Sequence, residues 1–137
     1  MSGKPSVLFV CVKNGGKSAM AGGLMTRRVG DAVDVRSAGT RPGSVVNELS
    51  AQSLLEVGVD IRDHRPRALT PEMVAAADVV VVLGREATVD PVPGTRIEVW
   101  DTDEPSERGI DGIERMRLVR DDIDARVDRL ATELTRS

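Results

Sequence analysis

The chain contains a single cysteine, Cys11, and the residues after it are Val12, Lys13, Asn14, Gly15, Gly16, Lys17 and Ser18. A thiolate is a strong nucleophile, so a lone cysteine in a glycine-rich turn is a candidate for covalent chemistry. In a turn that leads from a strand into a helix, successive N–H groups converge on one centre and form an anion nest at the helix N-terminus. Gly15 and Gly16 allow unusual dihedrals and close approach of an oxyanion to the backbone. Asn14 tolerates the left-handed region and holds the loop by local hydrogen bonds. Lys17 closes the loop with a full positive charge, and Lys13 adds a second. The same field favours thiolate over thiol at Cys11, and the Ser18 hydroxyl is placed to donate to the sulfur. The segment Val12–Gly16 therefore reads as an oxyanion cradle, with Cys11, Lys17 and Ser18 as its chemical groups. Two other readings compete. A cysteine at a strand end is often only a small buried hydrophobe. A nucleotide phosphate loop needs glycine where Cys11 stands, so that match fails.

The elements that position these residues follow from pattern. Ser6 to Cys11, "SVLFVC", predicts a strand buried on both faces. Met20, Leu24, Met25 and Val29 fall at helical spacing over Lys17 to Val29, and Gly30 is a stop. Ala32 to Thr40 predicts a second strand ending in a Ser-Ala-Gly-Thr turn. Asn47 to Val57 predicts a helix with Leu49, Leu54 and Leu55 inward, stopped by Gly58. Thr70 and Pro71 predict the cap and first turn of a short helix reaching about Ala77. The unbroken valines of "ADVVVVLG", Ala77 to Gly84, predict the sheet centre, and "RIEVW", Arg96 to Trp100, a fourth strand. An acidic loop, "DTDEPSERG", then precedes a long helix from Ile110 to Arg136. Its inward stripe is Ile113, Met116, Val119, Ile123, Val127 and Leu130. The alternation predicts an α/β fold, a four-stranded parallel sheet with helices on both faces, in one domain spanning 1–137. Ligands in such folds sit beyond the carboxyl ends of the strands. Cys11, Ser37 to Thr40, Gly84 and Asp101 to Glu104 all lie at those ends.

Composition narrows the function classes. Hydrophobic residues make up 40% of the 137, and the aromatics are Phe9 and Trp100 alone, so the core is aliphatic. A net charge of −3 with both signs interspersed argues against general nucleic-acid binding. No apolar run reaches the roughly 18 residues of a membrane span, and "MSGKPSVLFVC" lacks a signal-peptide pattern. A cytoplasmic protein with no membrane or nucleic-acid partner is expected. One cysteine and one histidine leave no basis for an internal disulfide or a His-rich metal site, so no metal and no bound cofactor are expected.

Cys11, five residues, a cation and Ser18 resemble the signature loop of the low-molecular-weight tyrosine phosphatases. "FVCVKNGGKSAMA" resembles still more the arsenate reductases that share this phosphotyrosine protein phosphatase I-like fold. The resemblance runs on through "RSAGT", "DVVVVLG" and "WDTDEP". The phosphatase loop normally ends in arginine, which grips two oxyanion oxygens, and Lys17 here gives up that bidentate grip. Its loop, and "DEPSERGIDGIERMRLVRDDI" after Trp100, are similar to the mycothiol-dependent branch, the arsenate-mycothiol transferases. The resemblance implies that the carboxylate before Pro105 protonates the departing oxygen. By position that is Glu104, with Asp103 as its neighbour, and adjacent carboxylates would raise its pKa. A bland alternative is an acidic loop capping the last helix.

The implied reaction joins arsenate to mycothiol, and a separate mycoredoxin then releases arsenite. Thioredoxin-coupled relatives carry further cysteines, one near the end of the third strand; here that region reads "VVVLGREA". Any sulfur-based reduction by this chain must use an external thiol. The alternatives are a low-molecular-weight protein tyrosine phosphatase and a non-catalytic oxyanion-binding protein. Elsewhere, His64 reads as a solvated loop histidine among Arg62, Arg65 and Arg67. Ser37 and Thr40 read as supports of the cysteine loop. Trp100 either finishes its strand or walls the site, and the charges of the last helix read as a solvated face with i,i+4 pairs.

Overall fold

A computed structural model describes residues 3–136. Its sheet contains β1 (Ser6–Cys11), β2 (Asp34–Gly39), β3 (Val79–Leu83) and β4 (Arg96–Trp100) in the order β2-β1-β3-β4, all parallel. The helices are α1 (Lys17–Val29), α2 (Glu48–Leu55), α3 (Pro71–Ala76) and α4 (Gly112–Thr135). The two-residue side-chain period of the strands separates two cores. Val7, Phe9, Val79, Val81 and Leu83 face α1, α2 and α4, whereas Leu8, Val10, Val80 and Val82 face α3 and the segment around Ala87. Helices thus cover both faces, as the continuous apolar strands require.

Three details differ from the sequence expectation. In α2, Leu54 is buried but Leu49 and Leu55 are exposed, and the inward positions are Ser50, Ala51 and Ser53. Small residues let α2 lie close to its neighbours: Ser50 Oγ is 3.5 Å from Met116 Sδ, and Arg120 reaches the Ser53 carbonyl at 2.9 Å. The last helix begins at Gly112, because Pro105–Arg108 forms a separate 3-10 turn closed by left-handed Gly109. Most charges of α4 pair with other elements: Arg28 binds Asp124 and Asp128, and Glu56 binds Arg117 and Arg120, while Arg126–Asp122 is an i,i+4 pair. Trp100 is buried against Phe9, with ring centroids 5.8 Å apart, and so completes β4.

Candidate functional site

The chain leaves β1 at Cys11 and enters α1 at Lys17, and the intervening turn is braced from outside. Its five carbonyls, from Cys11 through Gly15, accept from Thr40 N (3.0 Å), Arg41 N (2.8 Å), Gly43 N (3.0 Å), His64 Nε2 (2.9 Å) and Asn47 N (2.6 Å) respectively. With the carbonyls turned outward, the amides are left to the concave side. Among the described residues, the amides of Lys13, Gly15, Gly16 and Lys17 have no protein acceptor. Gly16 offers no side-chain cap to α1, so the helix N-terminus is also open to an anion.

Asn14 shapes the turn. It is fully buried and is the one non-glycine residue at positive φ (55°) among those described. Its side-chain oxygen accepts from Arg67 N at 3.1 Å and from His64 Nε2 at 3.2 Å. His64 Nε2 therefore faces two acceptors and carries a proton. The Asn14 amide donates to Ser18 Oγ at 2.8 Å, which leaves the Ser18 hydroxyl hydrogen for Cys11 Sγ, 3.0 Å away. Asn14 N approaches the same sulfur at 3.3 Å. Two donors thus converge on one buried sulfur. His64 is consequently no solvated loop residue. Its partner lies 50 positions earlier, a contact with no local signature.

Glycine is required for close approach rather than for the turn's handedness. A Cβ on Gly15 would lie 2.7 Å from the Val45 carbonyl oxygen, and one on Gly39 would lie 2.6 Å from that of Val12. Thr40 supports the loop through its backbone only, and the Ser37 side chain makes no hydrogen bond to it. Arg62 pairs with Asp60.

The loop forms the floor of an open cleft of about 1290 Å³. Cys11, Val12, Lys13, Gly15, Gly16 and Lys17 line it, with Asp103 and Glu104 on the opposite wall. Asn14 and Ser18 lie behind the floor. The structure thus brings the sequence-predicted residues to one place. No aromatic ring lines the cleft among the described residues.

The acidic wall departs from expectation. Each carboxylate has its own cation, so none is pushed upward by its neighbours. Burial favours the neutral form of Glu104, but the hydrogen bonds and charges of Lys17 and Arg115 outweigh it and hold the carboxyl below its ordinary value. Hydrogen bonds from Arg108, at 2.8 and 3.1 Å, hold Asp103 low, and Arg85 does the same for Asp101. Neither Asp103 nor Glu104 caps α4; the cap position is Asp111. Sequence reasoning missed Arg85, Arg108 and Arg115 as cleft residues; pairs 16, 5 and 11 positions apart across irregular chain leave no periodic signal.

No helix is long and apolar enough to cross a membrane, and no group of three or more His, Cys, Asp or Glu is placed to hold a metal among the described residues.

The family model for low molecular weight phosphotyrosine protein phosphatase matches residues 6–137. An arsenate reductase of Staphylococcus epidermidis is 34% identical over 131 residues, covering 93% of this chain and 96% of that protein. A solved thioredoxin-dependent arsenate reductase of Corynebacterium glutamicum superposes with a TM-score of 0.81 at 34% identity, covering 97% of this chain and 63% of that one. The chain thus spans less than two thirds of that Corynebacterium protein. A tyrosine phosphatase of Erwinia amylovora superposes at TM-score 0.83 with 18% identity, over 98% of this chain and 96% of that one, a likeness of fold.

Proposed function

The chain belongs to the low molecular weight phosphotyrosine protein phosphatase family, and from that premise we propose that it is an arsenate reductase that passes arsenate to an external thiol, mycothiol, in the cytoplasm. The observation that carries this reading is a thiol on the floor of an oxyanion cradle with no second cysteine in the 137 residues. The curated relatives it matches include arsenate reductases.

Arsenate lies on the free amides of Lys13, Gly15, Gly16 and Lys17. The Cys11 thiolate bonds to arsenic, and one arsenic–oxygen bond breaks as its oxygen takes a proton and leaves as water. Glu104 is the better-placed acid, since it faces the loop cation Lys17 while Asp103 is tied to Arg108 by two hydrogen bonds. A paired Glu104 is ionised. When the oxyanion takes Lys17, Glu104 loses that cation and meets a dianion, which raises its proton affinity, so it takes up a proton from solvent and passes it to the departing oxygen. The mycothiol sulfur then bonds to arsenic, its proton returns to Glu104, and Cys11 leaves as thiolate. The product is an arseno-mycothiol adduct, still As(V). A mycoredoxin thiolate attacks the mycothiol sulfur, the sulfur–arsenic pair stays on arsenic, and arsenite leaves with a mixed disulfide.

The test follows NADPH loss with arsenate, mycothiol, mycoredoxin and their recycling reductase. Consumption above the blank that disappears in Cys11→Ser supports the proposal; none, or equal consumption in the variant, rejects it. Replacing mycothiol and mycoredoxin with thioredoxin and its reductase should give little turnover, and comparable turnover would reassign the electron donor. Phosphatase activity is the second reading, favoured by the family fold. The cleft offers no ring to stack on a phenol, so nitrophenyl phosphate turnover should be slow.

A further inference from the structure

We propose that Arg115 is the second oxyanion-binding cation of this cleft, gripping the ligand from α4 where Lys17 alone cannot. The inference deepens the arsenate reading above and rests on it. Lys17 brings a single point charge to the position that closes the loop, and a tetrahedral dianion needs more than that. Lys13 is exposed.

Three arginines line the cleft: Arg85, Arg108 and Arg115. The first two are each committed to a carboxylate by two hydrogen bonds, Arg85 to Asp101 at 3.0 and 2.6 Å and Arg108 to Asp103 at 2.8 and 3.1 Å. Arg115 differs. Its Nη2 lies 3.3 Å from Glu104 Oε2, while Lys17 holds Oε1 of the same carboxyl group. Its Nε is buried with no acceptor. A guanidinium with one long bond and one unused donor is a half-filled fork, built for two oxygens.

The two cations therefore already share one anion. A carboxylate is the chain's own stand-in for an oxyanion edge: planar, charged, with two oxygens of comparable span. A bound oxyanion would replace Glu104 between Lys17 and Arg115 and would give Nε its missing acceptor. Glu104 then acts as an internal competitor for the ligand.

An anionic oxygen group could come from the substrate oxyanion or from the thiol co-substrate, and the test separates them. Inorganic phosphate binding is measured calorimetrically on the wild-type protein and on Arg115→Gln, Arg115→Lys and Glu104→Gln. Arg115→Gln should weaken phosphate about tenfold and Arg115→Lys about threefold, since lysine restores charge but not the fork. Glu104→Gln should tighten it, because the anion that Lys17 and Arg115 now share is removed. In the coupled assay, Arg115→Gln should raise the KM for arsenate by a similar factor and leave the KM for mycothiol within about twofold. Phosphate affinity unchanged in both Arg115 variants overturns the proposal, as does a rise confined to the mycothiol KM. If the glutamine variant fails to fold, the lysine variant alone decides. Phosphate that fails to bind even the wild type rejects the oxyanion cradle itself; phosphate that binds alongside an inactive coupled assay rejects only the mycothiol reading.

Discussion

Replacing Asn14 separates the two services it performs. Asn14→Ala removes the amide that orients Ser18 and the oxygen that accepts from Arg67 N, bonds of 2.8 and 3.1 Å, while His64 Nε2 loses its 3.2 Å contact with that oxygen but keeps its 2.9 Å bond to the Asn14 carbonyl. At about 1 kcal/mol net each, these amount to about 2 kcal/mol. Alanine must also hold a φ of 55°, which costs about 1.5 kcal/mol more. The sum, about 3.5 kcal/mol, is a large share of the 5–15 kcal/mol that stabilises a typical domain. With a urea slope of about 2 kcal/mol per molar, the midpoint should fall by about 1.7 M. Asn14→Gly loses the same two bonds but no strain. Glycine's extra freedom when unfolded returns about 0.7 kcal/mol of that relief, so its midpoint should lie about 0.4 M above that of alanine. Activity should not follow stability. Both variants release Ser18 from its orienting donor, so both should lose coupled turnover to a similar extent, about tenfold. Urea melts by circular dichroism and the NADPH assay read the two quantities separately. Equal midpoints for the two variants would refute the left-handed strain. Wild-type turnover in either would refute the Asn14–Ser18–Cys11 chain.

Three further outcomes are expected. Lys17→Arg restores a two-pronged cation at the end of the loop, so phosphate should bind about tenfold tighter and nitrophenyl phosphate turnover should rise; unchanged affinity would show that the amides alone hold the anion. Gly39→Ala places a Cβ 2.6 Å from the Val12 oxygen and 3.0 Å from Asn14 Cβ, so the loop must shift. About 1–3 kcal/mol of stability should be lost, together with activity, whereas Gly43→Ala, whose Cβ meets nothing nearer than 3.9 Å, is the silent control. Glu56 is lowered to about 2 by the Arg117 hydrogen bond first, with burial opposing it and the Arg120 hydrogen bond adding to the lowering. A depressed carboxyl pKa stabilises the fold fully above the ordinary 4.5 and loses that contribution as pH falls toward about 2. The urea midpoint of Glu56→Gln should therefore fall less steeply than wild type across that interval; parallel curves would remove the α2–α4 ion pairs from the account.

What was legible in the sequence was whatever has a period or a local partner. Four strands, the apolar stripe of α4 and the cap at Thr70 are written in neighbouring residues, and the fold follows from their alternation. The nest was legible too, because glycine, asparagine and an alcohol close behind a strand-end cysteine have few other uses together. Its left-handed residue was legible as well, since Asn14 tolerates that region and takes it; what was not legible is that Gly15 is small because Val45 presses on it. The stretch around His64 is the sharper case. A lone histidine among arginines has the composition of a wet loop, and long-range ties, the isolated bridge of Ala68 to Gly39 and the bond from Arg67 N to Asn14 Oδ1, bring that segment behind the cysteine loop, where Nε2 meets the Asn14 carbonyl. The acidic run failed for the opposite reason. Adjacent carboxylates repel when nothing else is near, and the sequence does not say that Lys17 and three arginines converge there. Long-range charge pairing replaced local repulsion, reversed the direction of the Glu104 shift, and so turned the proposed acid into a group that acquires its proton only when a ligand takes its cation.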